Sequence, residues 1–416
     1  MKRVIHGVCW ALLLARVPAL AAQSRVPAGT PITFRISAPV SSDISMIGRV
    51  FRATVIAPVR IDDRLAIAPG TKAFGHVVRA GRDSTKRYML DLAFDSVVMA
   101  GGDVPISVRV TAVDNARERV DSSGRIVGGA AVRHVRSKRT WSMMALGLVH
   151  PVAAAALWSA STLGVRERDA SIQYPAGTDV ATVLTRDVTL RHVAPHEAWG
   201  AVLPADSLTR LVSAWPVHAS AEKGAVGADP INVSLIGDSA TIAHAFHAAG
   251  WDVAAHMGMK ADFATFIRAS ANRGYAHQPV STLLLDGRAP DLIFERVTNT
   301  MAKRHHIRLW KWTDRIDGTS VWLASASHDI GIEYLRDRRH FTHRIDSAID
   351  GERDKVANDL WAADCVAQRS DVARVLPMNL RVNDGRDPVT TDGTLVLLRL
   401  RASCRDDAAR PIGVTR

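Results

Sequence analysis

From Ala28 to Val113 apolar and polar positions alternate in short bursts. Phe34, Ile36 and Ala38 alternate with Thr33, Arg35 and Ser37. The stretches FRATVIAPV (51–59), AFGHVVRA (73–80), YMLDLAFDSVVM (88–99) and VPISVRVTAV (104–113) are likewise rich in β-branched residues. A period of two sends successive side chains to opposite faces of a strand. Between the bursts lie PAGT (27–30), DDR (62–64), APGT (68–71) and AGGD (100–103), whose Gly, Pro and Asp suit turns. Short strands at regular spacing predict a small β barrel or sandwich.

The pattern then changes. PAGTPITFRISAPVSS (27–42) is echoed by PAGTDVATVLTRDVTL (175–190), so the second copy is expected to rejoin the first domain as a late strand. Between the copies, WSMMALGLVHPVAAAALWSASTLG (141–164) carries no formal charge and is long enough to span a bilayer. His150-Pro151 divides it, and Arg133, Arg136, Lys138 and Arg139 precede it. A helical hairpin fits better than a single crossing, lying either at a membrane interface or in the protein core. Residues 196–228 read as a connector with one short helix.

Beyond Asp229 the period alternates between two and 3.6. INVSLIGD (231–238) predicts a strand, with Asp238 or Ser239 capping a helix through Ala249 and Gly250 stopping it. Further helices are expected at 262–270 and roughly 348–363. Strands are expected at 281–287, 291–297, 305–312, 320–329 and 389–403. The expected fold class is therefore α+β: a small N-terminal β barrel or sandwich with an apolar helical insertion, then an α+β domain. The domain plan is a leader at 1–22, a β domain at 23–195, a connector at 196–228, an α+β domain at 229–404 and a tail at 405–416.

Composition narrows the setting. Lys2 and Arg3, the apolar run 8–14 and Ala19-Leu20-Ala21 have the features of a secretory leader, with Arg16 an irregularity. The chain carries +12; without Lys2, Arg3 and Arg16 it carries +9. That charge suits anionic membrane surfaces or envelope components. No aromatic-interleaved basic motif points to nucleic acid, and none is expected as a partner. Cys365 and Cys404 remain after Cys9 leaves, either as a disulfide or as two buried thiols. Neither belongs to a CxxC. Oligomeric state is not legible.

KRHHIRLWKW (303–312) is the densest candidate for chemistry. On a strand, His306, Arg308, Trp310 and Trp312 share one side, and His305, Ile307 and Leu309 the other. His328, Asp329, His343 and Asp346 could converge on the His306 side as acid–base groups. His306, His328 and Asp346 could also bind a divalent ion, since such ligands suit zinc, manganese or iron. Arg308 and Arg353 would hold an anionic group. The bland alternative is that Asp346, Asp350 and Glu352 oppose a helix dipole and the histidines make ordinary hydrogen bonds. There is no HExxH, GxSxG or P-loop. Ser239 reads first as a cap, and Thr391-Asp392-Gly393 as a hairpin turn.

DPINVSLIGD (229–238), AFHAAGW (245–251), RHHIRLW (304–310), ASASHDIGIE (324–333), THRIDSAIDGERDKVANDL (342–360) and TTDGTLVLLRL (390–400) together resemble the LssY C-terminal-like domain family. The resemblance implies a bacterial envelope setting and names no reaction. The front half is similar to exported β domains with PAG turns. Two functional expectations follow: an exported, membrane-associated envelope protein binding an anionic ligand or partner, or a metal-dependent hydrolase acting on phosphorylated or lipid-derived envelope molecules.

Overall fold

The computed structural model describes residues 24–62, 64–130, 171–190, 199–221, 229–254, 283–300, 303–335, 340–375, 381–382 and 387–404. The expected leader, the 141–164 insertion with its preceding basic run, and the 262–270 helix lie outside these residues. No described helix is long and apolar enough to cross a membrane.

The amino-terminal half forms an antiparallel sheet. In spatial order its strands include Val108–Val113, Asp179–Leu184, Pro31–Ile36, Val50–Val55, Lys72–Arg82, Arg87–Met99 and Ile126–Ala130. Alternation explains the fold: Ile32, Phe34 and Ile36 are buried while Thr33 and Arg35 are less so. Phe34 stacks on Phe94 at 4.3 Å, and Phe51 meets Phe94 edge-on at 5.5 Å. Gly75 is required there, since a Cβ would come within 2.2 Å of the Ala93 carbonyl oxygen. At the far end, the turn at Gly124 (φ 91°) returns against Val110, so the sheet curls into a nearly closed barrel.

The two PAGT copies are neighbours. Pro31–Ile36 pairs with Asp179–Leu184, Phe34 opposite Val180. Gly29 N–H donates to the Leu184 carbonyl (2.8 Å) and Gly177 N–H to the Ile36 carbonyl (2.7 Å). Each turn thus closes onto the end of the other copy's strand. Both glycines have positive φ, 86° and 93°, a conformation open to Gly at little cost.

The carboxy-terminal half is built on one sheet. Its spatial order is Asp252–Val253, Leu292–Arg296, Arg304–Ile316, Thr319–Leu335, Val233–Ile236, Thr394–Leu400 and Val366–Ala373, with His340–Ile345 on the far part of Thr319–Leu335. Among the described strands of this sheet, only Val233–Ile236 and Thr394–Leu400 run parallel. Asp317-Gly318, both at positive φ, closes the central hairpin, as a tight two-residue turn requires. Helix α1 (Ala205–Ser213) buries Leu208 and Val212 on one face, with Trp310 and Leu323. Helices α2 (Ser239–Ala248) and α3 (Ile349–Ala362) cover the other face, packing Phe246, Val356 and Leu360 on Ile307, Leu309 and Ala326. The Asp238 carboxylate caps α2 by accepting from Thr241 N–H at 2.7 Å. Cys365 and Cys404 form a disulfide.

The α+β expectation is corrected. The described chain is mostly β, with three helices among the described residues. The period of two runs on through strands of 13 and 17 residues in the central hairpin. The helices expected from 3.6-residue spacing exist at α2 and α3, but they are short covers on a sheet-dominated region.

Candidate functional site

The central hairpin becomes polar at one end on both faces. Arg304, His306 and Arg308 lie opposite Asp329, Ser327 and Ser325 in register, while His305 lies opposite His328. Apart from His328, these side chains are almost wholly buried. Buried polar groups need partners, and the two faces supply them differently.

On the first face, Arg304 Nε donates to Asp329 Oδ2 at 2.7 Å and Arg308 Nη1 to Asp229 Oδ2 at 3.3 Å. Ser327 Oγ donates to the same Asp229 oxygen at 2.7 Å. His306 Nε2 is 2.9 Å from Ser327 Oγ. With the hydroxyl proton turned to Asp229, Nε2–H is the donor. His306 Nδ1 has no hydrogen-bond partner and stands 3.8 Å from Asp329 Oδ2, as His343 Nδ1 does at 3.7 Å. Burial dominates at His306 and holds it well below its usual range, so the ring is neutral. Burial works to raise Asp329, but its basic surroundings, with the Arg304 guanidinium bonded to it, outweigh that and keep the carboxyl ionised. Burial raises Asp229 against the pull of Arg308. Ser327, His306 and Asp329 stand in the order of a nucleophile relay. However, Ser327 has 0% exposure and its proton faces Asp229, so it cannot meet a substrate there.

The second face meets the amino-terminal half. Asp114 and Asn115 follow the Val108–Val113 strand, Asn115 at φ 51°. His305 Nδ1 is 2.6 Å from Glu352 Oε2 on α3, and its Nε2 is 2.7 Å from Asp114 Oδ2. Burial opposes a charge on this ring, but Asp114 and Glu352 prevail and push it up to about 9. Both ring nitrogens therefore donate. His328 stacks on His305 at 4.3 Å and places Nε2 2.8 Å from Asn115 Oδ1. Burial, then the His305 charge, lower it to about 4, so it is neutral. Asp346 Oδ2 is 3.9 Å from His328 Nδ1.

The same seam continues through Asp179. Its carboxylate receives Arg35 Nε at 2.7 Å, Arg296 Nη2 at 2.9 Å and Lys355 Nζ at 2.7 Å. Burial works to raise it, and these three cations hold it down instead. Asp359 on α3 takes Arg35 Nη2 at 2.8 Å and Trp251 Nε1 at 2.9 Å.

The expected site residues thus divide. His306, Asp329, His343 and Arg308 come together on the first face. His328 and Asp346 stand on the second. The expected metal set of His306, His328 and Asp346 is corrected: the register pairs His328 with His305, so the pleat puts His306 on the opposite side. Arg353 holds Asp392, Asp354, Asp350 and the Thr394 carbonyl, fastening α3 to the 391–393 turn. Among the described residues, the set that does gather metal-ligand atoms within 4.8 Å of one another is Asp114, His305 and His328. Asp114 escaped the sequence reading because it lies 191 residues from His305. Its only local signal was Asp114-Asn115 at a strand end, which reads as a turn.

The sheet and its buried polar end define a β-rich domain that shares a site with a preceding β domain. Residues 213–395 match the family model for the LssY C-terminus. No curated protein matches the chain.

Proposed function

We propose that the chain is an exported envelope protein whose LssY C-terminal domain, with Asp114 from the preceding β domain, binds a divalent transition metal. The observation that carries this reading is the gathering of Asp114, His305 and His328, with Glu352 behind His305. A metal-bound histidine commonly donates its second N–H to a carboxylate, which fixes its orientation. Glu352 is placed to receive that bond. The ion would replace the proton between His305 Nε2 and Asp114, so uptake releases a proton. The stacked rings must turn for both to reach one ion. Asp114 and His328 are partly exposed, at 27% and 22%, which leaves coordination positions for water and a substrate oxygen. The reaction that fits is hydrolysis of phosphorylated or lipid-derived envelope molecules by metal-bound water. An anionic ligand on the His306 and Arg308 face fits less well, because Arg308 is buried against Asp229. The leader-like 1–22 segment and the Cys365–Cys404 disulfide favour an oxidising compartment.

The test is metal analysis and zinc or manganese titration of the purified protein, followed by assay on bis-p-nitrophenyl phosphate. One ion per chain is expected, with binding lost in Asp114→Ala and His328→Ala and retained in His306→Ala. Retention in the first two variants, or no ion in the parent, would overturn the centre. Metal binding without turnover would leave a binding domain and remove the hydrolase.

A further inference from the structure

The amino-terminal barrel carries an apolar projection that no core contact explains. Ile44 is 72% exposed, Val50 70%, Ile47 49% and Val78 41%. Single exposed aliphatics are ordinary, but a local group of them marks a contact surface. These four are local. Gly48 N–H donates to the Val77 carbonyl at 2.8 Å and Val77 N–H to the Arg49 carbonyl at 3.0 Å, which sets the 44–50 segment against the strand carrying Val78.

The segment is held in shape. The Asp43 carboxylate accepts from Ser45 N–H at 2.9 Å, Met46 N–H donates to the Asp43 carbonyl at 3.0 Å and Arg49 N–H to the Met46 carbonyl at 2.9 Å. The Met46 side chain packs on the barrel core. The isoleucines are therefore presented on a fixed support, and docking them costs little ordering entropy.

Charge decides what they meet. Arg49 adjoins Val50, Arg52 shares its exposed strand face, and Arg79, 61% exposed, follows Val78. Among the nearby acids, Asp43 caps the segment, Asp95 holds His76, and Asp91 is shared by Arg125 at 3.2 Å and Arg79 at 3.7 Å. The chain as a whole carries +12. A few aliphatics flanked by Arg49 and Arg52 are too small a patch for a stable protein interface of roughly 800 Å² per partner. They suit insertion just below anionic headgroups.

We propose that residues 44–50 and Val78 form a docking tip for an anionic lipid surface. The proposal rests on the envelope placement above and on none of the metal ligands, so either can fail alone. It is tested by flotation of the full-length protein with phosphatidylcholine vesicles, with and without phosphatidylglycerol. Binding to the anionic vesicles is expected to fall roughly tenfold or more in Ile44→Asp/Ile47→Asp, given the apolar surface that each isoleucine contributes. Arg49→Ser/Arg52→Ser should bring it toward the level seen on neutral vesicles. Circular dichroism and metal content should stay unchanged, since the altered side chains lie outside the core. Equal flotation of parent and Ile44→Asp/Ile47→Asp overturns the proposal. So does a parent dimer that this variant dissolves while vesicle binding is unaffected.

Discussion

The imidazoles of His305 and His328 stack at 4.3 Å across neighbouring strands, one charged and one neutral. Two rings that would titrate alike in water are separated because burial and the charge of its neighbour hold His328 down, while the flanking carboxylates of Asp114 and Glu352 hold His305 up.

This split predicts a stability maximum near pH 6.5. His305 titrates at about 9 in the fold against 6.5 for a free histidine. The folded state then holds the extra proton, so its stabilisation is complete below 6.5 and is lost as pH rises through about 9. His328 titrates at about 4. There the unfolded state holds the extra proton between about 4 and 6.5, so stability falls as pH drops through that window. Each limb should slope by about 1.4 kcal/mol per pH unit if one proton is involved. Urea denaturation at a series of pH values checks it. His305→Asn should flatten the alkaline limb and His328→Asn the acid limb.

Glu352→Gln keeps the shape of the side chain and removes its charge. If the metal reading holds, affinity should drop about 10–100-fold while one ion per chain is still bound. The His305 pKa, followed by NMR, should move down in the metal-free protein. An unchanged His305 titration would remove Glu352 from its orienting role.

Asp179→Asn leaves Arg35, Arg296 and Lys355 facing one another without their shared carboxylate. Removing one partner of a buried ionic set costs about 3–5 kcal/mol. The loss should appear in chemical denaturation, and it should exceed that of Asp371→Asn, an exposed partner of Arg369.

Reduction of Cys365–Cys404, or Cys365→Ser/Cys404→Ser, opens a loop of 39 residues. The chain-entropy account gives a loss of about 4 kcal/mol. Denaturation with and without reductant measures it, and no difference would mean the crosslink is idle.

Several elements were legible because their signals are local. Alternation gave the Pro31–Ile36 strand, and the repeated PAGT placed 175–190 back in the first domain as a late strand; that Asp179–Leu184 pairs with Pro31–Ile36 came from the structure. A cap at Asp238 or Ser239 and Gly250, at φ 83°, as a stop were written in residue type; the cap is Asp238, and Ser239 is the first residue of the helix. The pleat rule also placed His305 and His306 on opposite faces correctly. The choice between faces was not legible: His306 next to Arg308 looked like an open polar surface, but Asp229 and Ser327 bury it. Which distant carboxylate meets His305 depends on how two domains dock, and no periodicity encodes that. The α+β reading gave helix signals too much weight, because α2 and α3 are short while the strands between them are long.

Cutting the molecule where the family match begins would have a hidden effect. A fragment starting at residue 213 would keep both stacked imidazoles but lose the aspartate bonded to one of them and the shared carboxylate of Arg296 and Lys355. Such a piece would be overly basic along a freshly bared edge. Any weak ion uptake or stickiness it displayed would describe the amputation, and only the intact chain can report what the domain does.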